Sequence, residues 1–76
     1  MLADALEHLV GGIVDHPDDV RVTQRKQRRG QLLEIHVNPE DLGRVIGRNG
    51  RTARALRTVI SAIASRGYVR VDVVDS

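Results

Sequence analysis

The spacing of apolar residues changes several times along the chain, and each change predicts a new element. The first apolar residues recur at helical intervals: Leu2, Leu6, Leu9, Val10 and Ile13. They predict an amphipathic helix from about residue 2 to residue 15, ended by His16 and Pro17. Glycines at 11 and 12 each cost a helix interior roughly 1 kcal/mol relative to alanine, so the helix either packs very closely there or frays after Val10.

Alternation replaces helical spacing in the next segment and predicts two half-buried strands. Val20 and Val22 alternate with Arg21 and Thr23, and later Leu33, Ile35 and Val37 alternate with Glu34 and His36. The polar RKQRRGQ between them predicts a hairpin. Its strand register is left undetermined by the sequence, because residues 24–29 could extend the strand or form the loop. Its tip is either a solvated loop or a secondary phosphate contact, and carries four cations: Arg25, Lys26, Arg28 and Arg29.

Two helices and a strand are predicted in the second half of the chain. Asn38 as a cap, Pro39 at the first helical position and acids behind it predict a short helix from about Pro39 to Ile46. After residues 47–50 a longer helix should run until Gly67 caps it, with one apolar stripe: Ala53, Leu56, Val59, Ile60 and Ile63. The closing YVRVDVV predicts a strand with Val69, Val71 and Val73 on one side and Arg70 and Asp72 on the other.

Length and composition limit the class of protein. With 76 residues and no linker or repeat, we expect one domain covering 1–76, which buries only roughly 60% of its unfolded surface. The absence of cysteine excludes disulfides, a thiol nucleophile and a cysteine zinc site. Asp4 and Glu7 stand where a signal peptide needs positive charge, and the apolar run is too short for a membrane span. We therefore expect a soluble, cytoplasmic protein.

Charge is segregated along the chain although the net charge is only +2. Five acids and no Lys or Arg precede Arg21, whereas residues 44–71 contain seven arginines and no acid. This segregation indicates either a side that faces a polyanion or an ordinary solvated helix face. The position of the arginines must decide between the two.

The segment VIGRNGRT, residues 45–52, is the main candidate for chemistry. A Walker A loop and a dinucleotide fingerprint would each need glycine where Val45 stands, and Walker A also needs a lysine that is absent. A DNA-binding helix-turn-helix remains an alternative, with Arg51, Arg54 and Arg57 facing DNA, but such motifs usually lie in helical domains and this pair is flanked by strand segments.

The remaining possibility is a loop whose backbone approaches a ligand closely. Gly47 and Gly50 remove side chains that would hold a sugar-phosphate chain away, and the following helix start offers unpaired N–H groups to a phosphate. Arg48 and Asn49 between them should point outward as a cationic and a neutral donor. Val45 and Ile46 are predicted to form an apolar floor for bases.

The motif VIGRNG resembles the (V/I)IG-x-x-G signature of KH domains, in which a GXXG loop clamps about four single-stranded nucleotides. VDHPDDVRV and PEDLGRVIGRNGRTARALRTVI extend the resemblance over essentially the whole chain to the KhpA-type family of small bacterial KH proteins. It implies an α+β type II KH fold, α-β-β-α-α-β, with a three-stranded mixed sheet and three helices on one face. Members of this family often carry lysine at the loop position where this chain has Arg48. The two successive glycines at positions 11 and 12 are less typical of the family.

The resulting hypothesis is a non-enzymatic binder of single-stranded RNA, with no cofactor and no metal. The predicted RNA-binding residues are Arg44, Val45, Ile46, Gly47, Arg48, Asn49, Gly50, Arg51, Thr52 and Arg54. The near-absence of aromatics, with Tyr68 alone, counts against an RRM or an OB-fold that relies on stacking. The resemblance further implies a homodimer, or a heterodimer with a larger Jag-type KH protein (KhpB), and a role as RNA chaperone or post-transcriptional regulator in cell elongation or division.

Two other classes of protein remain as alternatives to an RNA-binding domain. In a protein-interaction adaptor, residues 47–50 would only connect helices and an aliphatic surface would bind a partner. An enzyme is less well supported, because no nucleophile and base come near each other in sequence. The serines stand alone and the histidines are scattered: Ser61, Ser65, Ser76, His8, His16 and His36. Asp15, Asp18 and Asp19 lack calcium-loop spacing and are predicted to form a turn.

Overall fold

The computed structural model describes residues 2–28, 30–64 and 68–74 of the chain. The predicted roles of Arg29, Ser65, Gly67 and Ser76 lie outside these residues. The predicted order α-β-β-α-α-β is confirmed, with these elements: α1 (Leu2–Gly11), β1 (Arg21–Gln27), β2 (Gly30–His36), α2 (Leu42–Ile46), α3 (Arg51–Ile63) and β3 (Tyr68–Val73). Short 3-10 turns are inserted at Pro17–Asp19, Pro39–Asp41 and Arg48–Gly50. Across the described residues, no helix is both long and apolar enough to cross a bilayer.

The first helix does not extend to residue 15. It ends at Gly11, one residue beyond Val10, where the glycine pair led us to expect fraying. Beyond Gly11 the winding changes: the Ile13 N–H donates to the Val10 carbonyl, three residues back, at 3.0 Å, whereas an α-helix would use the carbonyl four residues back. Two successive glycines make this change of winding inexpensive. Ile13 and Val14 still pack against the core, which explains why helical spacing continues beyond the helix.

The three strands form one mixed sheet in the order β1-β2-β3. β1 and β2 pair antiparallel, β2 and β3 pair parallel, and pairing reaches Gln27 opposite Gly30. Residues 24–27 therefore extend the strand, which resolves the hairpin register that alternation left open. Gly30 has φ +150°, and a Cβ there would lie 2.7 Å from the Tyr68 carbonyl carbon, so only glycine lets β2 and β3 approach at this point.

The core lies between one face of the sheet and the helices. Its buried residues come from all three strands or their flanks and all three helices: Leu6, Val10, Val20, Leu33, Ile35, Val45, Leu56, Ile60, Val69 and Val71. The apolar stripe of α3 is only partly used, because Val59 is 42% and Ile63 53% exposed while Leu56 and Ile60 are buried. The helix contacts the rest of the domain through the Leu56–Ile60 face, which leaves the neighbouring flank uncovered in the described structure.

The segment before the second helix is a 3-10 turn, Pro39–Asp41, that leads directly into α2. The predicted single helix from Pro39 to Ile46 is thus divided in two. Capping by Asn38 is confirmed, because its Oδ1 accepts the Glu40 N–H at 2.9 Å. Its Nδ2 also donates to an Asp19 carboxylate oxygen at 2.9 Å, which links this start to the turn at Pro17–Asp19.

A buried carboxylate joins the turn after α1 to the start of α2. Asp41 is 1% exposed and accepts the backbone N–H of Asp15 at 3.2 Å and that of His16 at 3.0 Å. The His16 Nδ1 also lies 3.0 Å from its Oδ2. Burial opposes ionisation of Asp41, but these donors outweigh it, so its pKa lies below the ordinary 3.8. The hydrogen bond to Asp41 raises the pKa of His16 above its ordinary 6.5 despite partial desolvation.

This pair predicts how stability depends on pH. The raised pKa of His16 makes its contribution complete below pH 6.5 and lost as pH rises through the raised value. The lowered pKa of Asp41 makes its contribution complete above pH 3.8 and lost as pH falls through the lowered value. We expect the urea-unfolding free energy to fall as pH rises above 6.5 and through the raised pKa of His16, and His16→Gln to remove that fall. A His8→Gln control should keep it; a fall of equal size in His16→Gln would contradict the assignment.

Candidate nucleic-acid interface

The backbone of residues 47–50 turns sharply between α2 and α3. The Gly47 N–H donates to the Gly43 carbonyl at 2.8 Å and ends α2, and the Gly50 N–H donates to the Gly47 carbonyl at 3.1 Å. Positive φ occurs at Gly47 (φ 78°, ψ 169°), Asn49 (φ 58°, ψ 26°) and Gly50 (φ 75°, ψ 15°). Asparagine is among the few non-glycine residues that adopt the left-handed region readily, so the turn itself accounts for part of the choice of Asn49.

The two glycines of the turn are needed for different reasons. A Cβ on Gly47 would lie 2.7 Å from the Thr52 nitrogen, and it would also contact the Thr52 side chain. A Cβ on Gly50 would have nothing within 4 Å. Position 47 therefore needs glycine because of its contact with Thr52 inside the protein. Of the two glycines, only Gly50 borders open space at the surface. Thr52 is half-buried and supports the turn from within.

Donors and cations lie on the outer side of this turn. The side chains of Arg48, Asn49, Arg51 and Arg54 are exposed. Gly50 stands at the N-cap of α3 and no side chain forms a capping hydrogen bond there. The Arg51 N–H donates to the Arg48 carbonyl, but no side chain caps α3, so the remaining N–H groups of its first turn and the positive end of the helix dipole favour a phosphate.

The two aliphatic residues before the turn have opposite environments. Val45 is completely buried in the core, so the prediction that it forms part of a floor for bases is wrong. Ile46 is 38% exposed and remains available at the surface. Neighbouring residues of a helix point about 100° apart, so a helix that docks through Val45 turns Ile46 outward. Val45 anchors α2, and Ile46 alone keeps the predicted apolar contact.

Arginines near the turn differ in whether a carboxylate neutralises them. Arg44 lies 3.3 Å from an Asp15 oxygen, and both side chains are exposed. Arg48, Arg51, Arg54 and Arg57 have no carboxylate partner within the part of the chain that the structure describes. An exposed pair such as Arg44–Asp15 contributes only about 0–1 kcal/mol, so Arg44 is released to another anion at little cost. This side of the molecule therefore carries an excess of positive charge.

Arg57 is the residue of this group that the loop motif did not indicate. Its Nη2 donates to the Val71 carbonyl at 3.3 Å. This bond satisfies a backbone carbonyl of β3, which is an edge strand of the sheet. Its spacing of three residues from Arg54 places both on neighbouring positions of the α3 surface. We refer to Arg51, Arg54 and Arg57 as the α3 arginines.

The helix-turn-helix alternative loses support from this arrangement. The α2–α3 pair packs beside a three-stranded sheet, where α3 contacts β3, and does not belong to an all-helical domain of the helix-turn-helix kind. Within residues 2–28, 30–64 and 68–74, no group of three or more histidine or acidic side chains is arranged to hold a metal ion. The His16–Asp41 pair, whose two pKa values are shifted by their mutual contact, lies at the start of α2 and supports it structurally.

Comparison with known proteins places these features in a family. A family model described as the KhpA/KhpB KH domain matches residues 3–74. The chain is 71% identical over 75 residues to RNA-binding protein KhpA of Streptomyces coelicolor, covering 99% of this chain and 94% of the relative. It is 62% identical to the protein of that name from Mycobacterium bovis (100% and 94% covered) and 46% identical to that of Halalkalibacterium halodurans (92% and 95%). No solved structure gives a significant match.

The unequal environments of the two glycines predict unequal costs of substitution. Gly47→Ala combines a backbone conformation that is essentially restricted to glycine with the contact to Thr52, and we expect a loss of about 3 kcal/mol in unfolding free energy. The side chain added in Gly50→Ala meets no neighbour, so the unfolding free energy should fall by only about 1 kcal/mol, because of the left-handed conformation alone. Gly50→Asn should avoid most of this loss, since asparagine adopts that conformation more readily. Urea unfolding measures all three variants; equal losses at both glycines would contradict this geometry.

Proposed function

Because the chain belongs to the KhpA/KhpB family of KH-domain proteins, we propose that it is a non-enzymatic protein that binds single-stranded RNA through residues 47–50. One observation carries the proposal: an open backbone position at Gly50 adjoins an α3 N-terminus without a side-chain cap. Exposed Arg48 and Asn49 lie in the same turn. The proposal is supported by the names of the relatives above, each called an RNA-binding protein.

The proposed contacts divide between backbone and bases of the RNA. A phosphate lies against Gly50 and the first N–H groups of α3, where partial positive charge is concentrated. Arg48 supplies the nearest mobile cation, and Asn49 a neutral donor that also fits the left-handed backbone. Arg44 exchanges Asp15 for phosphate, and Arg51 and Arg54 extend the cationic surface along α3. Ile46 contacts a base, while Val45 and Thr52 act from within the protein by holding the turn.

We further propose that the protein acts as a dimer. A single small loop binds RNA weakly, and a second module raises the effective concentration for the next contact. The uncovered flank of α3, with Val59 and Ile63 exposed, is a suitable surface for a second copy. A larger Jag-type KH protein (KhpB) is the alternative partner at this flank, and the family description that joins KhpA with KhpB supports it. If this association is the main role, the chain is a protein-interaction adaptor and RNA binding is secondary.

The cellular role proposed here follows from binding of this kind. Contacts to phosphates and an aliphatic surface read little base sequence, which suits an RNA chaperone or a post-transcriptional regulator that acts on many transcripts. A cytoplasmic location and a link to cell elongation or division belong to the same proposal. Sequencing of RNA crosslinked to the protein in cells would identify the targets, and recovery of protein partners without RNA would favour the adaptor.

Charge reversal in the turn tests the RNA contact. The double variant Arg48→Asp/Asn49→Asp should bind a single-stranded RNA about 100-fold more weakly or worse, because a charge-assisted bond worth roughly 1.5–3 kcal/mol is replaced by repulsion. Aspartate also tolerates the left-handed conformation of position 49, so the circular dichroism spectrum should not change.

The matched control is Arg21→Asp, which makes the same exchange at an exposed position of β1. It should keep RNA affinity within about twofold at physiological salt, where the Debye length is about 8 Å. A folded double variant that binds RNA like the unaltered protein would refute the proposal. Fluorescence anisotropy with a labelled RNA measures all three proteins.

The dimer proposal predicts that a negative charge on the uncovered flank separates the copies. Val59→Asp should shift the protein from dimer to monomer in sedimentation velocity, because a carboxylate would be desolvated at the contact. Ser61→Asp is the control, since it introduces the same charge at an exposed position on the opposite side of α3. If the unaltered protein sediments as a monomer at high concentration, both alone and with the larger KH protein, the dimer proposal is wrong.

A further inference from the structure

The face of the sheet that points away from the helices carries an exposed aromatic ring. Val69 and Val71 of β3 are buried against the helices, and side chains alternate along a strand, so Tyr68 and Arg70 project from the opposite face. Tyr68 is 61% exposed and is the one aromatic residue of the chain. We call this side of the sheet the outer face.

The register of the sheet leaves the ring of Tyr68 accessible and places two arginines in the neighbouring row. Its neighbour on β2 is Gly30, which has no side chain to lie against the ring. The next row of the outer face consists of Arg25, Leu32 and Arg70, since Leu32 pairs with both arginines. One aromatic ring, one aliphatic residue and two arginines therefore occupy adjoining positions on three strands.

The positive charges of this region are available to an anion. Arg25 contacts Glu34 at 2.7 Å and Arg70 contacts Asp72 at 3.4 Å, but all four side chains are at least partly exposed and such pairs contribute only about 0–1 kcal/mol. At the tip of the hairpin, exposed Arg28 forms no ion pair with any described residue, so the hairpin end of the sheet adds positive charge beyond the ring. Lys26 alternates with Arg25 and belongs to the other face of the sheet.

A row of cations connects this region to the turn at residues 47–50. The α3 arginines begin at the end of the turn, and α3 contains no acid over its 13 residues, a length of about 20 Å. Arg57, the last of them, reaches the Val71 carbonyl on β3, and Arg70 precedes Val71 on the same strand. Cationic side chains thus continue from the loop, along α3, to the edge of the outer face.

We propose that the outer face at Tyr68 is a second contact surface for single-stranded RNA that is already bound at residues 47–50. One base stacks on the Tyr68 ring, and the adjoining phosphates contact Arg70, Arg25 and, at the hairpin tip, Arg28. Aromatic rings set among cations are the means by which proteins hold single strands without reading sequence, because every base has a face that can stack. This inference rests on the proposed function, since it extends the path of the same ligand.

The composition of the surface favours RNA over a protein partner. Its only aliphatic member, Leu32, is half-buried, so the apolar area around the ring is small, whereas protein contacts need a larger desolvated centre. The row beside the ring carries two arginines, Arg25 and Arg70, which suit phosphates at successive nucleotides. The apolar flank of α3 with Val59 and Ile63, by contrast, has the composition expected for a protein contact.

The test measures how RNAs of two lengths bind to the unaltered protein and to variants of Tyr68. A short RNA of about four nucleotides, the length held by a GXXG loop, reports on residues 47–50, and an RNA about four times as long spans both surfaces. Tyr68→Thr keeps a residue that suits a strand and removes the ring; we expect the long RNA to bind about 5- to 30-fold more weakly and the short RNA to bind as before. Tyr68→Phe keeps the ring and should restore affinity for the long RNA.

The salt dependence gives a second measurement. Arg25→Ala/Arg70→Ala should reduce the slope of log K against log salt for the long RNA by about 0.7 per lost phosphate contact, and leave the slope for the short RNA unchanged. If Tyr68→Thr binds the long RNA within twofold of the unaltered protein, the inference is overturned. The proposed function would still be supported in that case if Arg48→Asp/Asn49→Asp alone loses binding of the short RNA. Altered sedimentation of Tyr68→Thr without altered RNA binding would assign the surface to protein contact and also overturn the inference.

Discussion

Gly47 lies so close to the backbone of Thr52 that no side chain fits between them, and its φ of 78° with ψ of 169° is a conformation that other residues avoid. This contact sets the angle at which α3 leaves the turn. It directs Arg48 and Asn49 outward and leaves the first N–H groups of α3 without a side-chain cap. The candidate RNA surface is therefore a consequence of internal packing on one side of the turn and of open space at Gly50 on the other.

The turn also needs a firm support, because α2 has only five residues and a helix of that length is not stable alone. Val45 anchors it in the core, and Asp41 ties its start to residues 15 and 16 through three donors. A buried carboxylate is costly unless it is hydrogen-bonded, so the donors of Asp15 and His16 make this link favourable. The turn after α1 thus has a structural use: its backbone N–H groups and the His16 ring hold the short helix from which the basic loop faces solvent.

The distribution of ion pairs matters more than the net charge of +2. Among the described residues, carboxylates lie against Arg25, Arg44 and Arg70, whereas none lies against Arg48 or the α3 arginines. Unpaired cations along one helix repel each other at a modest cost in stability, and they attract a polyanion over a longer range than any single contact. The same charges that weaken the isolated domain therefore strengthen its association with RNA in the proposed function.

Local features of the sequence determined the order of elements, the GXXG turn and the cap at Asn38, because periodicity, glycine and capping act over a few residues. Tertiary structure alone decided which side of each element is covered. Docking of α2 buried Val45 and exposed Ile46, and docking of α3 left Val59 and Ile63 outside the core. The contact between His16 and Asp41 spans 25 residues, so no local pattern reveals it. The different reasons for Gly47 and Gly50 likewise depend on Thr52, whose approach follows from how α3 packs and not from the spacing of the motif.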